Sequence, residues 1–190
     1  MLASRIIGVF TFRKGVYPEV EKETSFTTTA WILVAVVAFL NRLGSFASSS
    51  DWVFAAIVGT GSAILGFAVG LLIINWVGRT IFRAEVSFDE LVRTLGLAYV
   101  WQVVGVLGVV AAFSEALSYL LAPVQIIAGI LMIIAWLLAA REALDLEWVQ
   151  TIVTVILGWL AQFVIMTVLA ALVLGLLELG GAAMGGLLGF

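Results

Sequence analysis

Carboxylate side chains are the groups in this chain whose types and spacing could support chemistry. They form two short groups, Asp89 with Glu90 and, later, Glu142 with Asp145 and Glu147. Neighbouring carboxylates can bind Mg²⁺ or act as a general acid and base. Both groups also lie at predicted helix ends, beside Arg93 and Arg141 respectively. We therefore expect solvated helix caps and ion pairs here, and no catalytic or metal-binding site.

The residue types on which most enzymes and metal sites depend are missing. The chain has no His and no Cys, which excludes imidazole and thiolate catalysis and most transition-metal sites. It also has no nucleophile beside a base, no glycine-rich phosphate loop and no nucleic-acid-binding signature. The sequence therefore predicts a protein that is not an enzyme, uses no cofactor and has no nucleic-acid partner.

Composition and the placement of positive charge predict a membrane protein. The chain is 64% hydrophobic and 11% charged, whereas soluble domains have roughly 45–50% and 25%. Eight of the nine Lys and Arg residues lie before the first apolar run or in the second and fourth connections, and Arg42 is the exception. Excess positive charge marks cytoplasmic loops. We expect an all-α, polytopic protein of the inner (cytoplasmic) membrane, with a cytoplasmic N-terminus and the C-terminus outside.

Five apolar runs are long enough to form a bundle of five transmembrane helices, because a helix needs about 20 residues to cross a bilayer. The predicted spans are residues 26–46, 52–77, 91–113, 117–140 and 148–177. They define a membrane domain over 26–178, followed by a glycine-rich tail over 179–190. The first span is the weakest, and Asn41 and Arg42 near its end are expected to snorkel to the outer interface.

Residues 1–25 are predicted to form a cytoplasmic, amphipathic segment. The apolar side chains Leu2, Ile6, Val9 and Phe10 fall near one face of a helix, which suits a helix lying on the inner leaflet. Pro18 is expected to break this segment. The basic residues of the segment are expected to contact anionic lipid.

Short motifs predict where two of the helices begin. Ser87 and Glu90 have the spacing of a capping box at the start of the third span. A weaker cap is predicted at 145–148, before the fifth span. In the fourth span, Pro123 either occupies the first helical turn or kinks the helix by freeing the carbonyl of Tyr119.

Six polar side chains are predicted to lie within the spans. They are Gln102, Gln162, Thr60, Ser62, Gln125 and Asn75. Polar groups in hydrocarbon are often functional, so these residues could line a cleft for a substrate or a lipid head group. The simpler interpretation is hydrogen bonding between helices, worth about 0.6–2 kcal/mol per bond.

Small residues recur on the second span at Ser62, Gly66 and Gly70. Such a ladder lets two helices approach closely. It favours packing inside the protomer over the alternative, a homodimer contact. Gly105 and Gly108 reduce the side-chain bulk of the third span in the same way.

Charged residues of the two longer connections are expected to form a cytoplasmic contact surface. They are Arg79, Arg83, Asp89, Glu90, Arg93 and Arg141. Capped helix ends would hold these side chains in fixed positions at the membrane surface. The surface predicts contact with lipid head groups or with a membrane-protein partner.

Three stretches resemble the Ypt-interacting-protein (YIP) domain family, in its bacterial form. Gly-Val-Tyr-Pro-Glu-Val-Glu at 15–21 is similar to the family's entry segment. Residues 87–98, a cap followed by Gly-Leu-Ala, resemble the start of its third span. Residues 136–145 resemble the end of its fourth span and the loop that follows. The resemblance implies five spans with a cytoplasmic N-terminus.

Two departures from the family limit what the resemblance implies. Trp101 stands where the family often has a proline after the glycine of the third span, so the local helix geometry is expected to differ. The acidic N-terminal region of the eukaryotic members, which are associated with Ypt/Rab-type GTPases and vesicle traffic, is not present here. The sequence therefore does not support a GTPase partner.

Two functions remain as hypotheses from the sequence. The first is a non-enzymatic membrane protein that acts through lateral contacts with lipid or membrane-protein partners, as a scaffold for membrane organisation. The alternative is a small transporter or channel with a polar path near Gln102 and Gln162. The second hypothesis requires water at mid-membrane depth, whereas the first does not.

Overall fold

The computed structural model describes the backbone of residues 2–188 and the side chains of residues 2–169, 171 and 172. The described part is entirely helical and contains no β-strand. Its α-helices are α1 (Leu2–Phe10), α2 (Val16–Glu21), α3 (Phe26–Phe46), α4 (Trp52–Ile81), α5 (Phe88–Ala98), α6 (Leu107–Ala111), α7 (Glu115–Leu144) and α8 (Trp148–Leu188). A 3-10 segment, Tyr99–Val106, joins α5 to α6.

Five of these helical stretches are long and apolar enough to cross a membrane, as the sequence predicted. They are Phe26–Phe46, Trp52–Ile81, Phe88–Ala111, Glu115–Leu144 and, within the described part, Trp148–Leu169. The stretch Phe88–Ala111, which comprises α5, the 3-10 segment and α6, is called the third span below. The backbone of the predicted tail continues α8 as helix to Leu188. The side chains of that tail lie outside the described residues.

The spans run alternately up and down, so the bundle has two ends of different character. The end that carries α1, α2 and the connections at 82–87 and 145–147 is called the basic end. The end that carries the connections at 47–51 and 112–114 is called the short-loop end. Apolar side chains such as Ile32, Phe54 and Ile126 are exposed around the bundle, as expected for helices whose outer faces contact lipid.

Tight packing is concentrated in the half of the bundle next to the basic end. The largest side chains that are fully buried in the described part all lie there: Leu71, Ile74, Leu91, Leu95, Leu97, Leu144, Val9, Val16, Val20, Val34, Val92 and Val155. Close packing at this end fixes the helix ends. The half next to the short-loop end lacks an equivalent core, and cavities occupy it instead.

The N-terminal segment packs against the bundle. Phe10 and Phe12 contact the ring of Trp101, with ring centroids 4.8 and 5.8 Å apart. Arg5 pairs with Glu23, and this hydrogen bond lowers the pKa of Glu23 from its ordinary value. The predicted helix α1 is confirmed. Its contact surface includes Trp101 of the third span, and its predicted position on the inner leaflet stays a prediction.

The break in the N-terminal segment lies upstream of its predicted position. Phe12 and Gly15 have positive φ angles of 50° and 85°, so the chain turns between α1 and α2. Pro18 is the third residue of α2, in the first helical turn, where its missing N–H has no intrahelical partner to lose. The prediction that Pro18 breaks the segment was therefore wrong.

The helix-start predictions met different outcomes. The capping box at Ser87 is confirmed: the Ser87 hydroxyl accepts from the Glu90 amide at 3.2 Å, and the Glu90 carboxylate accepts from the Ser87 amide at 2.7 Å. Asp145, with φ of 52°, ends α7 in a left-handed conformation and does not begin α8. Gln150 supplies the weak cap instead, by accepting from the Glu147 amide at 3.4 Å. Pro123 lies inside α7, beyond its first turn.

A glycine contact sets how α3 meets the third span. A Cβ on Gly44 would overlap the carbonyl oxygen of Gly105, and a Cβ on Gly108 would overlap Gly44. The Asn41 side-chain amide fits over Gly105 and donates to the carbonyl oxygen of Gln102 at 2.9 Å. The Gln102 carbonyl belongs to the 3-10 segment, in which hydrogen bonds between residues three apart replace the four-residue spacing of an α-helix.

We expect Gly44→Ala to destabilise the protein by about 1–3 kcal/mol, because backbone atoms cannot move aside for the added methyl group. Gly61→Ala is the matched control, since nothing lies within 4 Å of a Cβ at Gly61. It should be neutral or stabilising, by up to about 1 kcal/mol of helix propensity. Thermal unfolding of both variants in detergent, followed by circular dichroism, measures the difference. Equal melting temperatures would contradict the glycine contact.

Candidate functional site

Two cavities lie inside the bundle, both on the short-loop side of the packed half. The larger, called the vestibule, has a volume of about 560 Å³ and lies between α3, the third span and α7. Its polar lining comes from Asn41, Ser45, Ser48, Gln102, Ser118 and Gln125. Ser48 lies in the 47–51 connection, and Ser118 lies in the first turn of α7, just after the 112–114 connection. The vestibule therefore extends from the short-loop end into the bundle.

The smaller cavity, called the central cavity, has a volume of about 420 Å³ and lies deeper, between α3, α4, the third span, α7 and α8. Its polar lining comes from Arg42, Ser62, Tyr99, Gln102 and Gln162. Its apolar lining includes Phe67, Met132, Trp136, Trp159 and Met166. Gly66 of α4, another lining residue, is roughly 21 Å along the helix from Trp52. The central cavity therefore lies near mid-height in the bundle.

Gln102 lies at the junction of the two cavities and lines both. The 3-10 segment explains its position. Three residues make one turn of a 3-10 helix, so Tyr99, Gln102 and Gly105 form one column along a single face. In an α-helix, Tyr99 and Gly105 would lie about 120° apart. The 3-10 geometry thus places the Tyr99 and Gln102 side chains in line with Gly105, against which α3 packs.

Arg42 is a residue that the sequence interpretation did not assign to a site. Its side chain packs along Gly59 of α4 and lines the central cavity. Arg42 is half-buried and lies one turn before the end of α3, on the short-loop side of the bundle, so its expected snorkelling to the outer interface stays a prediction. The signal was present in the sequence: Arg42 is the one basic residue that departs from the charge asymmetry.

Hydrogen-bond donors without partners gather at the two cavities. In the described part, four buried side-chain polar atoms have no hydrogen-bond partner: Tyr17 Oη, Arg42 Nε, Trp101 Nε1 and Trp136 Nε1. Trp101 lines the vestibule, whereas Arg42 and Trp136 line the central cavity. These three atoms are donors only. Each of the three belongs to a residue that lines a cavity, while the donor atom itself is enclosed by the protein.

The small-residue ladder and Gln162 meet in the structure. The Gln162 side chain lies over Gly66 and Gly70, with its amide nitrogen 3.1 Å from the position of a Cβ on Gly66. The ladder thus packs against α8 within the protomer, as the first interpretation expected. Ser62, the third member, is exposed and bonds to the carbonyl of Val58 in its own helix, while its side chain borders the central cavity.

The six predicted intramembrane polar residues separate into two sets. Gln102, Gln125, Gln162 and Ser62 line a cavity. Thr60 and Asn75 do not. Thr60 donates to the carbonyl of Ala56 in its own helix, and the Asn75 side chain donates to the carbonyl of Val86 at 3.2 Å. Asn75 therefore fastens the 82–87 connection and has a structural role.

The predicted cytoplasmic contact surface is only partly exposed. Arg79, Arg83, Asp89 and Arg141 are exposed, and Glu90 is half-buried. Arg93 is buried, which corrects its assignment to this surface: its Nε donates to the Glu21 carbonyl at 2.9 Å and its Nη1 to the Thr27 hydroxyl at 3.1 Å. Arg93 joins α2 and α3 to α5.

The two carboxylate groups, at 89–90 and 142–147, do not form the expected ion pairs with Arg93 and Arg141. The ion pairs of the described part are Arg5–Glu23 and Arg13–Glu19, both in the N-terminal segment. Arg141 instead lies over the ring of Trp148, 4.7 Å from its centroid. Burial raises the pKa of Glu21, and the nearby charges of Glu90, Glu142 and Asp145 raise it further. No group of three or more acidic residues among the described residues could hold a metal ion.

Comparison with protein-family models, curated proteins and solved structures found no match. The resemblance to the YIP domain family consequently stays a prediction.

Replacement of Arg93 separates a structural role from a contact role. We expect Arg93→Gln to lower the free energy of unfolding by about 2–3 kcal/mol, because charged hydrogen bonds to Glu21 and Thr27 are lost. Arg79→Gln, an exposed control on the same end, should change it by less than about 0.5 kcal/mol. Denaturant unfolding in detergent measures both values. Similar effects of the two substitutions would contradict the structural role of Arg93.

Proposed function

We propose that this is a non-enzymatic integral protein of the cytoplasmic membrane that admits a small polar or amphipathic ligand into its bundle from the outer side. One observation carries the proposal: two cavities with polar linings, of about 560 and 420 Å³, share Gln102 inside an otherwise apolar bundle. Both volumes fall within the range of about 300–1,000 Å³ that is common for ligand sites. This is the small-transporter hypothesis, made specific by the cavities.

The two ends of the bundle support access from one side only. The vestibule adjoins the short loops. Leu91, Leu95 and Leu97 lie earlier in the third span, towards the basic end, and are fully buried. A continuous channel is disfavoured by that packed half. Eight basic residues lie on the basic-end side by sequence, so we assign that end to the cytoplasm by the positive-inside rule. The vestibule then faces outward.

Lateral contact with a partner is the second candidate. Arg79, Arg83 and Arg141 are exposed at the basic end, and within the described part none of them forms an ion pair. They suit anionic lipid or an acidic membrane-protein partner. Membership of the YIP domain family would be compatible with either candidate, and a GTPase partner forms no part of the proposal. If replacing all three with Gln left every association intact, this second candidate would be wrong.

Thiol labelling tests the proposed function directly, because the chain has no native cysteine. Single variants Gln125→Cys, Gln102→Cys and Gln162→Cys are exposed, in intact cells, to a charged maleimide that cannot cross the membrane. We expect labelling at Gln125 and Gln102 at least about tenfold faster than at a fully buried site, because a buried thiol reacts only after local opening. Gln162 should react more slowly than Gln102, since it lies only in the deeper cavity.

Two further cysteine variants serve as controls, one exposed and one buried. Ser48→Cys, exposed beside a short loop, should label readily from outside if that end faces outward. Leu95→Cys lies two turns from Gln102 in the same span and is fully buried, so it should stay protected. Protection at all three glutamine positions, with Ser48→Cys labelled, would show a dry bundle and reject the ligand-binding proposal.

A further inference from the structure

We propose that the central cavity binds the anionic oxygen group, a phosphate or a carboxylate, of an amphipathic molecule, with the negative charge placed on Arg42. The inference rests on the proposed function and deepens it by naming the chemical class of the ligand. It follows from the charge of the cavity, from its unpartnered donors and from the shape of its apolar wall.

The charge of the central cavity is uncompensated within the described part. Arg42 lines the cavity on its short-loop side, and neither ion pair formed by the described residues involves it. Its guanidinium therefore brings a positive charge to the cavity wall without a carboxylate beside it. A bound anion would neutralise that charge where the protein supplies no carboxylate.

The donors at and behind the cavity wall favour an oxygen acceptor. Arg42 Nε and Trp136 Nε1 lack a hydrogen-bond partner inside the protein, but both atoms are enclosed, so a ligand reaches them only if the side chains shift. Gln102 and Gln162 add side-chain amides that can donate as well as accept. A phosphate or carboxylate has several acceptor sites and no need of acceptors in return when ionised. A cationic ligand would meet only repulsion from Arg42.

The apolar wall selects for a molecule that also has an apolar part. Trp136 and Trp159 lie side by side, with ring centroids 6.4 Å apart, and Met132 and Met166 complete the lining. Methionine side chains adapt to varied apolar shapes. The cavity is bordered by exposed Ser62 on α4 and by Gln102 at the vestibule. These positions offer a lateral route for a lipid and an aqueous route for a soluble amphiphile.

Two arms of one experiment distinguish these sources, using the full chain purified in detergent. In the first, equal amounts of phosphatidylglycerol and phosphatidylcholine with identical acyl chains are added, and retained lipid is counted by native mass spectrometry. In the second, octanoate is titrated from water against chloride at matched ionic strength, and the shift in melting temperature is recorded. The proteins compared are wild type, Arg42→Gln and Thr60→Ala, the last changing a polar residue of α4 that lines neither cavity.

We expect wild type and Thr60→Ala to prefer the anion, and Arg42→Gln to lose that preference by about tenfold or more, as for loss of a charge-assisted hydrogen-bonded contact. Selective retention of phosphatidylglycerol identifies a lipid source. A rise in melting temperature with octanoate alone identifies a water-borne one. Gln162→Leu, which removes a side-chain amide from the cavity wall with little change in shape, should weaken binding several-fold and covers the case in which Arg42→Gln fails to fold.

Other outcomes would overturn the inference. Equal retention of both lipids by wild type, together with no effect of octanoate, would show that no anion site exists. Loss of selectivity in Thr60→Ala as well as in Arg42→Gln would show a general disturbance of the bundle and not a site at Arg42. If the thiols at Gln102 and Gln125 label but no anion is preferred, only this inference fails and the proposed function stands. If those thiols are protected, both fail.

Discussion

The contact between α3 and the third span at Gly44, Gly105 and Gly108 is the constraint on which the rest of the bundle depends. Without side chains between them, the two backbones meet directly, as small residues permit in membranes. That approach brings the Asn41 amide within 2.9 Å of the Gln102 carbonyl. A side chain that bonds to a helix carbonyl competes with the helix's own hydrogen bonds. The 3-10 segment is the conformation in which both contacts are satisfied.

The 3-10 segment in turn decides which side chains share a face. An eight-residue run is long for this conformation, since runs beyond 3–4 residues are uncommon. Its three-residue period stacks Tyr99 and Gln102 above the glycine contact and directs both toward the central cavity. The close crossing of α3 and the third span thus produces the junction between the two cavities.

The two halves of the bundle differ in how their side chains are packed and paired. Next to the basic end, α1, α2 and the caps enclose large aliphatic side chains, and Arg93 ties three helices together. This half resists opening because its aliphatic side chains are closely packed and Arg93 is paired inside the protein. Towards the short-loop end, Arg42 lines a cavity and forms neither of the ion pairs of the described residues. An unpaired charge in a poorly solvating environment is costly, so an anion bound there would stabilise the fold.

Local composition and spacing, which act over one helix at a time, were enough to predict the helical class, the five apolar spans, the start of the third span at Ser87 and the ladder of small residues on α4. The packing of the helices against one another accounts for the rest. It buries Arg93, keeps Thr60 and Asn75 away from the cavities, and brings Arg42 to the same cavity as Gln102 and Gln162. These outcomes depend on which helices meet and at what rotation. A helical period of 3.6 residues could not indicate that rotation, because the decisive stretch of the third span has a period of three.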